Sequence, residues 1–257
     1  MGNDLKRVQN RLLDMALVIE KTLCDHEIPH SIINGTLLGA VRHGGFIPWD
    51  DDLDFCIFNE YYDRAVEILK KELPDWLFLE DKSSEPKYFH AWAHVKDMYT
   101  NVDCEHYVQD SLYSHHGLSI DLYRLEKVRL HSLYDRKIDE YVEYIRRRME
   151  LGMMDVEEID TRVQKMCEGH DWFWYKKMEN ENVKSINREV YSDLYITTRY
   201  YEVEDFFPLK KIKFENSEFL GPNNSDAVLT KCFGDYMTLP PEEERILHYS
   251  EVEFLDA

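Results

Sequence analysis

The chain is short of basic residues. Its 257 residues carry 31 Lys and Arg against 51 Asp and Glu, a formal net charge of −20. Such a field repels phosphate backbones and anionic membrane surfaces and so opposes non-specific binding to either. A small phosphorylated substrate held by a local basic group and a metal is not excluded. The five cysteines, Cys24, Cys56, Cys104, Cys167 and Cys232, are scattered, odd in number and form no C-x-x-C, which points to reduced thiols rather than a disulfide framework or a zinc ribbon. No apolar run approaches bilayer length. The N-terminus has neither a signal-peptide core nor, with Lys6 at the sixth position, the myristoylation pattern. The sequon Asn34-Gly35-Thr36 falls inside the stretch with the strongest chemical signal, where a glycan would obstruct. A cytoplasmic location is the expectation. No internal repeat or low-complexity linker interrupts the chain, whose length can bury one sizeable core or two small ones.

What is present is patterned. Leu5, Val8, Leu12, Met15, Ala16, Ile19 and Leu23 recur at helical spacing over 4–27. A short strand is expected at 30–34. A turn at Gly35 follows, then one or two helical turns ended by Gly44-Gly45. A strand over 53–58 leads to a helix over 60–73 with Asn59 as its N-cap and Pro74 as its stop. Further strands are expected at 88–99 and 118–125. From 126 to 182 the pattern is helical and highly charged, with Arg146, Arg147 and Arg148 on a face that is either solvated or set toward a phosphorylated or lipid-linked acceptor. From 191 the chain turns β-rich, with a last helix near Asp226. The order predicts an α/β (α+β) fold around a mixed sheet: residues 1–125 a core, 126–190 a helical region, 191–257 strands and a helix completing the core's domain.

The acidic run Asp50, Asp51, Asp52 and Asp54 is bracketed by apolar residues. It is not an EF-hand, because counting from Asp50 puts Phe55 at the sixth place and Tyr61 at the twelfth. A solvated acidic turn is the plain alternative. If 52–58 is a strand, Asp52 and Asp54 share a face about 7 Å apart while Leu53, Phe55 and Ile57 enter a core. Two carboxylates so placed repel each other, and a divalent cation removes that repulsion; Mg²⁺ takes carboxylate oxygens and keeps places for water and phosphate. Gly35-Thr36 at a helix start, shortly upstream, offers backbone N–H groups to an anion.

Together, "NGTLLGAVRHGGFIPWDDDLDF" and the later "FFPLKKIKFENSEFLGPNNSDAVLTKCFGDYMTLPP" resemble the LicD family, whose bacterial members transfer phosphocholine and whose animal relatives include the fukutin-related proteins. The Gly-Thr turn followed by acid-x-acid on a strand also resembles the nucleotidyltransferase fold of the DNA polymerase β superfamily. The resemblance spans roughly residues 5–245. It implies a mixed-sheet nucleotidyltransferase-like core, a metal pair at Asp52 and Asp54, and a third acid at Asp121, which could otherwise be an ordinary strand acid. It implies substrate phosphate contacts from Gly35, Thr36, Arg42 and Lys96. Arg42 could equally pair with the acidic run, and Lys96 could be a solvated strand lysine. Asp50 and Asp51 would be supporting residues. Trp49 would pack the loop or stack on a ligand, Tyr236 would pack across the sheet, and His43 and His90 read as structural.

The implied activity is a Mg²⁺- or Mn²⁺-dependent transferase moving a phospho-alcohol, foremost phosphocholine, from a CDP-linked donor to a hydroxyl of a cell-surface glycan or its precursor, such as lipopolysaccharide or teichoic acid. The acceptor could bring peripheral membrane contact. CDP-ribitol or CDP-glycerol donors, a nucleotidyltransferase using an NTP, and a non-catalytic binding protein remain open at this level. A choline donor calls for an aromatic cage, for which Trp92, Tyr99, Tyr107, Tyr113, Trp172 and Trp174 are candidates.

Overall fold

The structure, a computed structural model, describes residues 2–103, 113–152, 188–192 and 199–255. They form two compact units: Met1–Tyr88 with Trp92–Arg124 and Glu204–Ala257, and Phe89–Ala91 with Leu125–Val203. Tyr107, Trp172 and Trp174 lie outside the described residues, as does the expected helical stretch beyond 152.

In the first unit, helix α1 (Gly2–Asp25) buries Val8, Leu12, Met15, Ala16, Ile19 and Leu23, as the periodicity predicts. Strand β1 (His30–Ile32) pairs antiparallel with β2 (Asp54–Phe58), Ile32 facing Phe55 and His30 facing Ile57. Between them runs α2 (Asn34–His43), closed by Gly44 at φ 75, the left-handed conformation glycine adopts without strain. After β2 come α3 (Asn59–Glu72), β3 (Leu77–Glu80), β4 (Ala93–Asp97), β5 (Thr100–Asp103) and β6 (Ser119–Arg129). The sheet order is β1-β2-β6-β4-β3.

β2 therefore sits inside the sheet, and its residues are buried on both faces, Cys56 and Phe58 as fully as Phe55 and Ile57. This differs from the half-buried alternation expected of it. Asn59 is not an N-cap: it is the first helical residue, and its carboxamide oxygen accepts a hydrogen bond from Nε of Arg124. The strand expected over 88–99 is shorter, because residues 88–92 do not pair in the sheet. The backbone there is satisfied by tyrosine hydroxyls instead: Tyr88 donates to the Trp92 carbonyl at 2.7 Å, and the Ala93 N–H donates to Tyr62 at 2.7 Å.

The second unit takes the far half of β6, which pairs with β7 (Glu189–Ser192), and β7 pairs with β8 (Tyr201–Glu202). With α4 (Leu133–Glu150) it has its own small core of Val128, Leu130, Leu133 and Val190. Arg148, expected on a solvated face or an acceptor-facing one, is 4% exposed and donates to the Tyr144 hydroxyl at 2.6 Å. Arg146 and Arg147 pair with Glu143 and Glu150.

The chain then returns to the first unit through α5 (Val203–Phe206), the hairpin β9 (Lys210–Phe214) and β10 (Ser217–Gly221), and α6 (Ser225–Phe233). "KIKFENSEFL", read as one β-rich stretch, is this hairpin. Phe214 and Phe219 pack edge-on to each other and to Phe46 and Phe55. A last strand, β11 (Glu251–Phe254), pairs antiparallel with β5.

Candidate active site

Asp54 heads β2, and the strand begins there rather than at Asp52. Its N–H donates to the Thr36 hydroxyl at 2.7 Å, and its carbonyl accepts from the Ile33 N–H. These bonds lock the first turn of α2 onto the start of the strand. Gly35 lies beside the acidic loop: a Cβ there would stand 3.2 Å from an Asp50 carboxylate oxygen. The Asp52 carboxylate turns back to take the Leu53 N–H at 2.7 Å. Asp121 lies on β6, where its N–H donates to the Leu53 carbonyl at 3.3 Å. The fold thus brings the Gly-Thr turn, the acidic loop and the third acid together.

The charges press on one another. Asp54 is 6% exposed, and its Oδ1 has no hydrogen-bond partner. Burial holds its carboxyl well above the usual carboxylate range, and Asp52, Asp121 and Asp50 push it further; a hydrogen bond from Asn34 opposes them. Burial likewise raises Asp52, with His248 and the Leu53 N–H acting against it. Asp50 is raised to about 7, by burial first and then by Asp52, with His248 opposing.

An unpaired buried carboxylate oxygen among three further acids fits a hard divalent cation, whose preferred ligands are carboxylate oxygens. Asp52, Asp54 and Asp121 supply such oxygens. Around the same loop, Asp50, Asp51 and His248 also place one ligand atom each within 4.8 Å of one another.

Asp51 does more than support the loop. It is 2% exposed, and its carboxylate accepts the His248 N–H at 2.8 Å, the His248 Nδ1 at 2.9 Å and the Tyr249 N–H at 3.1 Å. The Tyr249 hydroxyl lies 3.3 Å from Ser119 Oγ on β6. So a C-terminal segment walls the acidic loop, a contact no local sequence signal announces across 197 positions. The Asp51 hydrogen bond, against the effect of burial, holds the His248 imidazolium to about 9. That pKa lies above the ordinary histidine value, so the stabilisation is complete below about pH 6.5 and is lost as pH rises through 9. Linkage discounted for solvent screening leaves about 1–2 kcal/mol. We expect metal-free protein to lose that much between pH 6.5 and 9.5 relative to His248→Gln, read by urea melts; parallel curves for the two proteins would refute the pairing.

The sheet face beside Asp121 is built by register. Directly opposed residues in an antiparallel pair share a face. Glu80 faces His94, His94 faces Asp121, and Lys96 faces Ser119. His94 Nε2 stands 3.1 Å from Asp121 Oδ1, a partner that sequence reasoning missed. Lys96 is 3% exposed, so it is not a solvated strand lysine. Trp92 packs on Tyr123 with ring centroids 4.7 Å apart, and Tyr88 stacks on Tyr113 at 5.2 Å and meets His94 at 5.4 Å. Of the aromatic candidates, Trp92 and Tyr113 therefore gather next to the third acid, while Tyr99 sits in the β4–β5 turn.

Arg42 does not pair with the acidic run: its guanidinium donates to the Tyr236 carbonyl at 2.7 Å and to His43 at 2.9 Å. The Tyr236 hydroxyl bonds Asp226. Trp49 lies under the Arg245 guanidinium at 4.5 Å and edge-on to His43 at 6.1 Å. His90 belongs to the second unit and packs on Phe89.

The site is thus an acid-headed strand locked to a Gly-Thr helix start, with a further acid on the neighbouring strand. Residues 27–128 match the family model described as LicD/FKTN/FKRP, nucleotidyltransferase domain. The chain is 26% identical over 251 residues to lipopolysaccharide cholinephosphotransferase LicD of Haemophilus influenzae, covering 91% of each chain. It is 33% identical over 130 residues to an uncharacterized protein of Rickettsia prowazekii, covering 43% of each. An uncharacterized protein of Rickettsia typhi is 28% identical over 122 residues, 44% of this chain and 38% of its own. Both similarities point to the LicD family. No helix among the described residues is long and apolar enough to cross a membrane.

Proposed function

We propose that the protein transfers phosphocholine from CDP-choline to a hydroxyl of a lipopolysaccharide-type glycan or its precursor. The relative matched over nearly the whole chain is named for phosphocholine transfer to lipopolysaccharide. The observation that carries the reading further is the composition of one sheet face: acids, a buried lysine and aromatic rings side by side at Asp121, Lys96, Trp92 and Tyr123. Each matches one part of such a donor.

A divalent cation held by Asp52, Asp54 and Asp121 would, when bound, neutralise the diphosphate and the charge developing on the departing CMP. The Lys96 ammonium and the Arg42 guanidinium are the cations this chain offers to the phosphates. Backbone N–H groups at Gly35 and Thr36 open a helix whose N-terminus favours an anion. The rings of Trp92 and Tyr123 offer π-faces to a quaternary ammonium. The acceptor oxygen forms a bond to the phosphorus bearing choline, the bond from that phosphorus to the bridging oxygen breaks, and CMP leaves. The hydroxyl proton passes to a carboxylate of the acidic loop. On β6, His94 fixes the orientation of the Asp121 carboxylate beside that loop.

Thermal unfolding with Mg²⁺ against CDP-choline, CDP-ribitol, CDP-glycerol, CTP, ATP and UTP tests this. A ligand at about a hundred times its dissociation constant stabilises by roughly 2.7 kcal/mol, on the order of 5–10 °C here. We expect CDP-choline to give the largest shift, lost in EDTA. A shift with an NTP alone would instead support nucleotidyl transfer, and a larger shift with CDP-ribitol or CDP-glycerol would replace choline.

A further inference from the structure

Away from the acidic loop, at the other end of the β1–β2 pair, three side chains of different chemistry meet. Glu20 and Cys24 stand one helical turn apart on α1, and His30 opens β1. His30 Nε2 is 2.8 Å from Glu20 Oε2, and Cys24 Sγ is 3.6 Å from Glu20 Oε1. One ligand atom from each lies within 4.8 Å of the others. We propose that Glu20, Cys24 and His30 form a binding site for a borderline transition-metal ion, Zn²⁺ in the first instance, separate from the acidic loop.

Three features support a cation over a chance cluster. The donor set is one sulfur, one imidazole nitrogen and one carboxylate oxygen, which suits Zn²⁺ and not Mg²⁺. The ligand atoms lie 2.8 and 3.6 Å apart, all within 4.8 Å, so small side-chain shifts reach the roughly 3–4 Å spacing of ligands about 2.0–2.3 Å from a tetrahedral ion. The outer partners are also in place. His30 is fully buried, and its Nδ1–H donates to the Ile28 carbonyl at 2.7 Å, which leaves Nε2 facing the cluster. Glu20 Oε1 accepts the Leu220 N–H at 2.9 Å. Backbone partners of this kind orient metal-bound imidazole and carboxylate groups.

Cys24 is exposed, so the fourth position is open to water or an entering ion. Without metal the cluster is an ion pair: burial disfavours the charge, but hydrogen bonds that the imidazolium donates to Cys24 and Glu20 hold His30 to about 9. A bound cation takes the place of that proton. Because the ligands and their partners come from α1, β1 and β10, the ion would staple three elements of the first unit. It touches none of the groups assigned to the donor.

The test is Co²⁺ titration of the full chain, followed by absorbance, with Mg²⁺ in excess to fill the acidic loop. We expect one equivalent to bind with a thiolate-to-cobalt charge-transfer band and intense tetrahedral d–d bands, both discharged by Zn²⁺. Zn²⁺ should raise the melting temperature by about 5 °C. Cys24→Ser, an exposed change that leaves the fold in place, should lose the charge-transfer band and most of the Zn²⁺ shift, yet keep transferase activity. Absence of the band at stoichiometric Co²⁺, or its persistence in Cys24→Ser, overturns the proposal. Neither outcome bears on the donor site, whose test is the Mg²⁺-dependent nucleotide panel.

Discussion

Asp54→Asn is expected to remove the proposed phosphocholine transfer, by about a thousandfold or more, while making the metal-free protein more stable. The two effects have one cause. Asp54 is 6% exposed, its Oδ1 has no hydrogen-bond partner, and Asp52, Asp121 and Asp50 all press on its charge. A buried carboxylate in that position costs the fold stability unless a bound cation compensates its charge. Asparagine keeps the shape and removes the charge, so it relieves the repulsion. The gain in EDTA should be about 1–3 kcal/mol, or several degrees in melting temperature for a chain of this length. The backbone bonds to Thr36 and Ile33 are untouched by the change, so the strand start stays where it is. Melting curves in EDTA and in Mg²⁺, with a transfer assay on the same samples, read both effects. Wild-type Mg²⁺ should raise the melting temperature, and the variant should not respond. A variant that melts lower in EDTA and keeps its turnover would show that Asp54 is an ordinary buried residue and would dismantle the cation site.

Much of this arrangement was legible before the structure. The stripe Val8, Leu12, Met15, Ile19 and Leu23 fixes α1, because a 3.6-residue period survives any tertiary context that buries one face. The glycine end of α2 and the strand after the acidic run were readable for similarly local reasons, a left-handed cap and a dense apolar block. The link from Gly-Thr to the acids was legible as a motif, though its physical content was not. The Thr36 hydroxyl proves to hold the Asp54 N–H, which is a bond between elements 18 positions apart.

What stayed hidden was everything decided by distant pairing. The burial of β2 on both faces follows from its place between β1 and β6, which no alternation pattern encodes. Asn59 has the composition of a cap, yet Arg124 on β6 claims its carboxamide. His94 carries no local signal, and only the pairing of β4 with β6 sets it against Asp121. The role of Asp51 depends on His248 and Tyr249, and only the folded chain brings them to it. The cluster of Glu20, Cys24 and His30 was hidden likewise, since the cysteine count alone points away from metal chemistry.

Gly39→Ala should be a strongly damaging small change, and for a reason that ties packing to the site. A Cβ at Gly39 would stand 2.4 Å from the Gly45 carbonyl oxygen and 3.1 Å from the Ile47 nitrogen. Both are backbone atoms, so no side-chain rotation relieves the overlap and the loop after α2 must move. That loop is pinned at several points. The Gly45 N–H donates to the Gly39 carbonyl at 3.3 Å, and Gln9 Nε2 reaches the Asp50 carbonyl at 2.9 Å. Phe46 is fixed by its ring contact with Phe214. Displacing a loop held so firmly should destabilise by about 2–4 kcal/mol, roughly 5–10 °C. The same displacement carries Pro48, Trp49 and the acids with it, so turnover should fall even well below the lowered melting temperature, where the chain is folded. Gly35→Ala is the control. Its Cβ would meet only a side-chain oxygen of Asp50 at 3.2 Å, which can give way, so stability should change little while donor binding weakens. If Gly39→Ala melted like the wild type and kept its turnover, α2 would not be packed against the acidic loop as closely as the glycine implies, and the loop's position would have to be set by the Asp51 contacts alone.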